Sequence, residues 1–209
     1  MTERIALIGS GAMAREIIGI YGRERFSVAY VEPQYKPTDT HVSGVEIVTD
    51  WESLRRRADH YVLTAGNLDF RKAMQEQVRA QGLEPCSPLI HPSSYVSWSA
   101  KLGRGSVITA FVALGDAIEL EEDSMIMHKI SIGHDSRVGA LSVLCPGVSL
   151  GGGTQVGKRC FIGANAATAP GIALGDDAVV AAGAACLSDV PAGGFAIGSP
   201  ARRIAQPRK

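Results

Sequence analysis

Residues 126–161, written six at a time, read IMHKIS, IGHDSR, VGALSV, LCPGVS, LGGGTQ and VGKRCF. Each group begins with Ile, Leu or Val, and its fifth residue is small or β-branched. Counted from Ile90 to Cys186, fifteen of seventeen groups begin with one of these three aliphatic residues. A period of six matches neither the 3.6 of an α-helix nor the 2 of a strand. It is typical of a parallel β-helix.

Each hexad is predicted to form one side of a triangular coil, so residues 18 apart stack at the strand spacing of about 4.8 Å. The aliphatic first position is expected to fill the interior and the small fifth position the corner. We expect the second-position glycines to relieve the tight turn. They are Gly103, Gly115, Gly133, Gly139, Gly151, Gly157, Gly163 and Gly175.

Residues 1–88 follow a different pattern, in which strand-like and helix-like segments alternate. Strands are predicted at 4–8, 27–31 and 60–63, and helices at 12–21, 51–57 and 68–81. Asp50 is expected to cap the second helix and Gly82 to end the third. This alternation predicts an α/β domain with a small parallel sheet. The proline-rich segment 84–88 marks its boundary with a second domain, residues 89–209.

The 21 basic and 21 acidic side chains balance, so no net field attracts a nucleic acid. No apolar run approaches the length of a membrane span. Ala12-Met13-Ala14 resembles a signal-peptide cleavage site, but glycines interrupt the apolar run before it. The four cysteines lack the spacing of a zinc site or a disulfide framework. We therefore expect a cytoplasmic protein without a metal site.

The strongest candidate for catalysis is the pair His134-Asp135, at the third and fourth positions of its hexad. Side chains at these positions are expected to face outward. An imidazole can act as a general base near neutral pH, and a neighbouring carboxylate can orient it. One coil later, Gly152 is expected to let a ligand approach a backbone N–H, which suits an oxyanion.

The hexad tract, the segment from Ile132 to Gly157 and the closing Gly198-Ser199-Pro200-Ala201-Arg202 resemble bacterial left-handed β-helix sugar acetyltransferases. The nearest groups are the bacillosamine and perosamine N-acetyltransferases and the sialic acid O-acetyltransferases. The resemblance implies a Rossmann-like N-terminal domain that binds a nucleotide-linked sugar. It also implies a homotrimer that holds acetyl-CoA in the groove between subunits.

By this resemblance His134 is the base, Asp135 orients it and Gly152 offers its amide to the acetyl carbonyl. The coenzyme is expected to contact Val143, Gly152, Ala164, Ala182, Pro200 and Arg202, with Arg203 available to its phosphates. Two positions depart from the family pattern: Val143 replaces a second histidine and Met127 replaces an asparagine.

A strand, a glycine turn and a helix start follow one another near the N-terminus, an arrangement that can bring backbone N–H groups to a phosphate. The ends of the second and third strands face the same edge, where a carboxylate can bind a ribose. The predicted substrate-binding residues are Gly9, Ser10, Gly11, Ala12, Met13, Glu32, Gly66 and Asn67. The family usually has Gly-Gly-His at Gly11-Ala12-Met13, so the nucleotide stays open.

Other functions remain open alongside transfer to a sugar amine. Transfer to a sugar hydroxyl needs the same fold and base. A zinc lyase of the γ-carbonic-anhydrase kind would use His91, His128 and His134. An NAD-dependent oxidoreductase would use Gly9-Ser10-Gly11, although the third fingerprint glycine is replaced by Ala14. A non-catalytic β-helix binding module is the remaining alternative.

Overall fold

A computed structural model describes residues 3–35 and 38–204. The chain divides into two compact units, the first ending at Ser87 and the second beginning at Pro88. The predicted boundary, after residue 88, lies one residue further on. No helix among the described residues is both long enough and apolar enough to span a bilayer.

In its described part, the first unit has three α-helices and a six-stranded sheet. The helices are α1 (Ala12–Tyr21), α2 (Trp51–Arg57) and α3 (Leu68–Ala80). The strands are β1 (Ile5–Ile8), β2 (Phe26–Tyr30), β3 (His41–Val42), β4 (Val45–Val48), β5 (His60–Leu63) and β6 (Glu84–Pro85).

The sheet order is β3-β4-β2-β1-β5-β6, and every pair except β3 with β4 is parallel. Sequence reasoning found β1, β2, β5 and the three helices but missed β3, β4 and β6. Strands β3 and β4 form a hairpin whose two turn residues, Ser43 and Gly44, have φ of 45° and 83°. Such a two-residue loop with positive φ matches the twist of the strands that it joins.

Local side-chain chemistry sets the helix ends in this unit. The Oδ1 of Asp50 accepts a hydrogen bond of 2.8 Å from the N–H of Ser53, which confirms Asp50 as the cap of α2. Helix α3 ends at Ala80, and Gly82 follows with a φ of 83°. The glycine therefore ends the helix as predicted, through a conformation that costs other residues free energy.

The second unit is a parallel β-helix with three sheets, and its strands are named in chain order. The first sheet contains β7 (Leu89–Ile90), β10 (Val107–Ile108), β13 (Met125–Ile126), β16 (Val143–Leu144), β19 (Phe161–Ile162), β22 (Val179–Val180) and β24 (Phe195–Ile197). The second contains β8 (Tyr95–Val96), β11 (Ala113–Leu114), β14 (Ser131–Ile132), β17 (Ser149–Leu150), β20 (Ala167–Thr168) and β23 (Ala185–Cys186). The third contains β9 (Lys101–Leu102), β12 (Glu119–Leu120), β15 (Arg137–Val138), β18 (Gln155–Val156) and β21 (Ala173–Leu174). A last strand, β25 (Arg202–Ile204), pairs antiparallel with β24.

Residues 18 apart pair along each sheet, as the hexad register predicts: Leu114 pairs with Ile132, and Ile132 with Leu150. We call the turns from the first to the second sheet the first corner (91–94, 109–112, 127–130, 145–148, 163–166 and 181–184). Those from the second to the third sheet are the second corner (97–100, 115–118, 133–136, 151–154 and 169–172). Those that return to the first sheet are the third corner.

The first hexad position fills the interior, as expected. Ile132 is 1% exposed, and most other first-position residues are buried in one continuous core. Ile90 differs, at 40% exposure, because the first coil has a neighbouring coil on one side only. Cys160, at a fifth position, is also fully buried, and this burial raises the pKa of its thiol to about 11.

The second-position glycines have a different role from the one predicted. None of the eight has a positive φ; a Cβ added to Gly133 or Gly163 would instead lie 2.5 Å from a backbone nitrogen of the next coil. Positive φ occurs at the fourth position of every hexad from Gly105 to Gly183, even at Phe111 and Leu141. The second position therefore requires glycine for close stacking of coils rather than for the turn.

Candidate active site

His134 and Asp135 lie on the second corner, directly after strand β14. The Nδ1 of His134 lies 2.7 Å from Oδ2 of Asp135, and both side chains are about 70% exposed. Asp135 has a φ of 57°, a conformation that aspartate adopts more readily than most residues. A carboxylate at Nδ1 selects the tautomer that leaves Nε2 as an acceptor, so the ring faces solvent as a base.

Gly152 lies under the ring of His134, one coil further along the same corner. A Cβ added to Gly152 would lie 2.7 Å from Nε2 of His134, so only glycine leaves room for the imidazole. The N–H groups of Gly151 and Gly153 donate to Thr168 and His134. Within the part of the chain that the structure describes, the N–H of Gly152 has no such acceptor. A free donor thus lies beside the base.

The other residues predicted to bind coenzyme lie on the first corner. Ala164 and Ala182 share the third hexad position of His134, but they follow strands of the first sheet. The tail reaches the same region, because the N–H of Ala201 donates to the carbonyl of Ala185 and Arg202 pairs with Ile197. Pro200 and Arg202 are both exposed, as is Arg203. One chain therefore presents the predicted catalytic and coenzyme residues on two different corners.

The two positions that depart from the family pattern point away from solvent. Val143, in β16 of the first sheet, is 1% exposed, so its side chain offers no surface to a coenzyme in this chain. Met127 is partly buried against the hydrophobic core of the β-helix. The prediction that Val143 contacts the coenzyme therefore has no support from its burial.

Asp116 is a residue of this corner that sequence reasoning missed. It lies 18 residues before His134, and its carbonyl accepts a hydrogen bond of 2.9 Å from the N–H of Asp135. The hydroxyls of Ser99 and Ser97 donate to its Oδ1, the second across 3.1 Å. These hydroxyls, with a smaller contribution from the imidazole of His134, lower the pKa of Asp116. Subtracting one coil from His134 would have found it.

The predicted substrate-binding residues of the first unit gather at one edge of its sheet. Gly9–Met13 follow β1, Glu32 follows β2, and Gly66 and Asn67 follow β5; these three strands are adjacent and parallel. Gly9 has a φ of 114°, and a Cβ there would lie 2.9 Å from Oγ1 of Thr64. Gly11 precedes α1 without a side-chain cap. Ligands of open parallel sheets commonly bind at this edge.

Asn67 has a structural use as well, because its Oδ1 accepts a hydrogen bond of 2.9 Å from the N–H of Phe70 and caps α3. A pocket of about 200 Å³ lies beside the turn after β1. Only Ser10 of its lining was predicted. The rest comes from α1 and from a segment for which the sequence suggested no element: Arg15, Thr38, Asp39, His41, Val42, Ser43 and Ile47.

The histidines considered for zinc are on different corners: His91 and His128 on the first, and His134 on the second. Over residues 3–35 and 38–204, no three or more His, Cys, Asp or Glu side chains are grouped so that they could hold a metal ion.

Two comparisons with known proteins give matches. The hexapeptide repeat of succinyl-transferase matches residues 129–153 and 153–185, which include His134, Asp135 and Gly152. No curated protein sequence matches the chain. Among solved structures, a histidine-to-asparagine variant of perosamine N-acetyltransferase from Caulobacter crescentus, in complex with CoA and GDP-perosamine, is 29% identical. Its TM-score is 0.89, and the alignment covers 99% of both chains.

Two more distant structures share the fold. The acetyltransferase domain of PglB from Neisseria gonorrhoeae, in complex with acetyl coenzyme A, is 24% identical, with a TM-score of 0.86 over 98% of this chain and 100% of that one. WeeI from Acinetobacter baumannii is 18% identical, with a TM-score of 0.82 over 96% and 99%. The repeat match and the likeness to perosamine N-acetyltransferase over the full chain confirm the left-handed β-helix and place this chain in the family of left-handed β-helix sugar acetyltransferases.

Proposed function

We propose that this protein transfers the acetyl group of acetyl-CoA to an amino group of a nucleotide-linked sugar, with His134 as the general base. As a member of its family it is an acetyl-CoA-dependent acyltransferase. The single observation that carries the assignment of the base is the arrangement at the second corner. The imidazole is held at Nδ1 by Asp135, and Nε2 lies over Gly152 with its free N–H.

The geometry suits the proton transfers of this reaction. The amine nitrogen attacks the thioester carbonyl, a C–N bond forms, and Nε2 of His134 accepts the proton that the nitrogen loses. The C–S bond then breaks, and the imidazolium returns that proton to the leaving sulfur, which gives an amide and free CoA thiol. The Asp135 carboxylate stabilises the positive ring between these two steps. General-base catalysis of this kind contributes about 10²- to 10⁴-fold.

Gly152 is proposed to supply the oxyanion donor. Its N–H has no acceptor in the described chain, and it lies on the coil directly after the base. Negative charge develops on the carbonyl oxygen as the amine attacks. A fixed N–H aimed at that oxygen typically contributes about 10²- to 10³-fold.

A homotrimer is proposed because one chain presents the two parts of the predicted site on different corners. The second corner carries the base, and the first corner carries Ala164, Ala182 and the C-terminal tail. In a closed ring of three chains, the first corner of one chain can face the second corner of the next. The coenzyme groove then lies between two subunits, as the family resemblance implies.

The first unit is proposed to be Rossmann-like and to bind the nucleotide of the acceptor at the carboxyl edge of its sheet. The turn after β1, the uncapped start of α1 and the pocket beside Ser10 support this role. Perosamine N-acetyltransferase, the relative with 29% identity, was crystallised with GDP-perosamine. Glu32 and Gly66 then lie beside the nucleoside.

The test is release of free thiol from acetyl-CoA in the presence of a panel of nucleotide-linked amino sugars. Each amino sugar is paired with an analogue that has a hydroxyl in place of the amine. Thiol release with at least one amino sugar, together with formation of its amide, is the expected result. Release with the hydroxyl analogues alone would instead indicate an O-acetyltransferase. The absence of release with every acceptor would refute the proposal.

A further inference from the structure

The carboxylates on the other faces of the β-helix are paired with basic side chains, and Asp116 is not. Glu119 bonds Lys101 across 2.9 Å, and Asp177 bonds Arg159 across 2.6 Å. Among the described residues, no lysine or arginine forms an ion pair with Asp116. Its charge is therefore uncompensated, and Asp135 beside it is paired only with an imidazole.

Asp116 is nevertheless held in a defined position. Both hydroxyls, from Ser97 and Ser99, donate to Oδ1. No side chain of the described part of the chain donates to Oδ2. Donation by hydroxyls fixes a carboxylate without neutralising it, and it keeps the group ionised at neutral pH, since the pKa of Asp116 is lowered. One oxygen thus positions the group, and the other is available to an incoming cation.

The position of this carboxylate relative to the base is set by the coil. Asp116 and His134 occupy the same hexad position on successive coils, which are about one strand spacing, 4.8 Å, apart. Contact between the two coils is close, because a Cβ added to Gly115 would lie 3.0 Å from the N of His134. A small cationic group can therefore lie against Asp116 while its nitrogen is within reach of His134.

Trp98 extends this alignment by one more coil. It lies 18 residues before Asp116, at the same hexad position, and it is 95% exposed. Trp98, Asp116, His134 and Gly152 thus form one column on the second corner, which we call the acceptor column. An exposed indole attracts a nearby cation through its π-face and offers an apolar surface to a sugar ring.

We infer that Asp116 binds the ammonium form of the acceptor's amino group and that Trp98 contacts the ring that carries it. The enzyme therefore selects amines over hydroxyls. This inference rests on the proposed function and names the group that the site acylates. A hydroxyl carries no charge and gains little from an unpaired carboxylate, whereas an ammonium gains a charge-assisted hydrogen bond.

The proton balance is consistent with this role. The ammonium bound by Asp116 first loses one proton to solvent, which leaves a neutral amine with its lone pair free. That amine attacks the thioester, and its second proton follows the route through Nε2 of His134 to sulfur. Asp116 accepts no proton in this sequence; it concentrates and orients the amine before the attack.

The experiment compares Asp116→Asn with Asp176→Asn in steady-state kinetics on an amino-sugar nucleotide that the wild type accepts. Asp176 is the matched control, because it has the same hexad position and charge but lies on the third corner. We expect Asp116→Asn to lower kcat/KM for the amine about 10- to 100-fold, the range for a hydrogen bond to a charged group. The KM for acetyl-CoA should not change, and the preference for the amine over its hydroxyl analogue should fall by the same factor.

Trp98→Ala is compared with Phe111→Ala, another exposed aromatic residue on the first corner. Loss of the indole should raise the KM for the acceptor about 3- to 30-fold, and Trp98→Phe should restore part of it. A smaller oligomer in sedimentation of Trp98→Ala would assign this residue to a subunit interface and overturn its role with the acceptor.

The failures of the two proposals are distinguishable. If the wild type releases no thiol with any acceptor, the proposed function fails first. If the wild type acylates an amine, and Asp116→Asn matches Asp176→Asn in kcat/KM and in amine preference, only the inference about Asp116 is wrong. Folding of each variant is checked by its melting temperature, and Asp116→Glu provides a second variant that keeps the charge.

Discussion

Gly152→Ala adds a single methyl group directly beneath the proposed base. The new Cβ would lie 2.7 Å from Nε2, 3.0 Å from Cε1 and 3.1 Å from Cδ2 of His134. Ordinary contact begins at 3.4 Å, so the edge of the ring must move by about 0.7 Å. The imidazole is 71% exposed and can swing outward, so little packing opposes this movement.

The magnitudes follow from this geometry. A misplacement of about 1 Å in a catalytic group costs up to about 10²-fold, so we expect kcat to fall about 10- to 100-fold. Stability should hardly change, because an exposed ring moves rather than the backbone. A change within about 0.5 kcal/mol corresponds to less than about 2 °C in Tm for a chain of this length.

The assay is thiol release at saturating acetyl-CoA and acceptor, with Tm measured on the same samples. Gly19→Ala, in helix α1, is the control, because a Cβ there meets nothing within 4 Å. It should keep full activity and gain slightly in stability. If Gly152→Ala keeps kcat within threefold of the wild type, the ring position does not matter and the placement of the base over Gly152 is wrong.

Three further predictions concern the scaffold and the assembly. Ile132→Asp buries an unpaired carboxylate and should cost about 4 kcal/mol or more, whereas Arg137→Ala removes an exposed ion pair and should cost under about 1 kcal/mol. Comparable Tm values for these two variants would show that the hexad register is wrong. Gly163→Ala places a Cβ 2.5 Å from the N of Ala182 and should cost about 3 kcal/mol, while Gly183→Ala, with a φ of 68° and open space, should cost about 1 kcal/mol. A reversed order in thermal melts would contradict the stacking role of second-position glycines. Sedimentation should give about three times the chain mass of 22.0 kDa, and a fully active monomer would rule out a site shared between subunits.

The interior of the β-helix could be predicted because burial acts directly on residue type. Only an aliphatic side chain suits a position such as Ile132, which faces the dry core once in every six residues. The turn was harder to predict, since the left-handed φ at the fourth position is tolerated by Phe111 and Leu141 as well as by glycine. Backbone strain repaid by stacking leaves no clear signal in the sequence.

The candidate site was predicted in part. His134, Asp135 and Gly152 lie together as expected, because a step of 18 residues returns to the same corner. The same arithmetic would have placed Asp116 in the column, and it would have placed Ala164 on another corner. The first unit was harder, because the hairpin at Ser43 carried only a short turn signal between brief strands.

The central claim is that His134 is the base, and turnover of His134→Ala tests it most directly. The variant is compared with the wild type at saturating acetyl-CoA and with His91→Ala, another exposed histidine of the β-helix. We expect turnover of His134→Ala to fall about 10²- to 10⁴-fold while the affinity for the coenzyme stays unchanged. If its turnover stays within about threefold of the wild type, under about 1 kcal/mol of barrier, His134 is not the base.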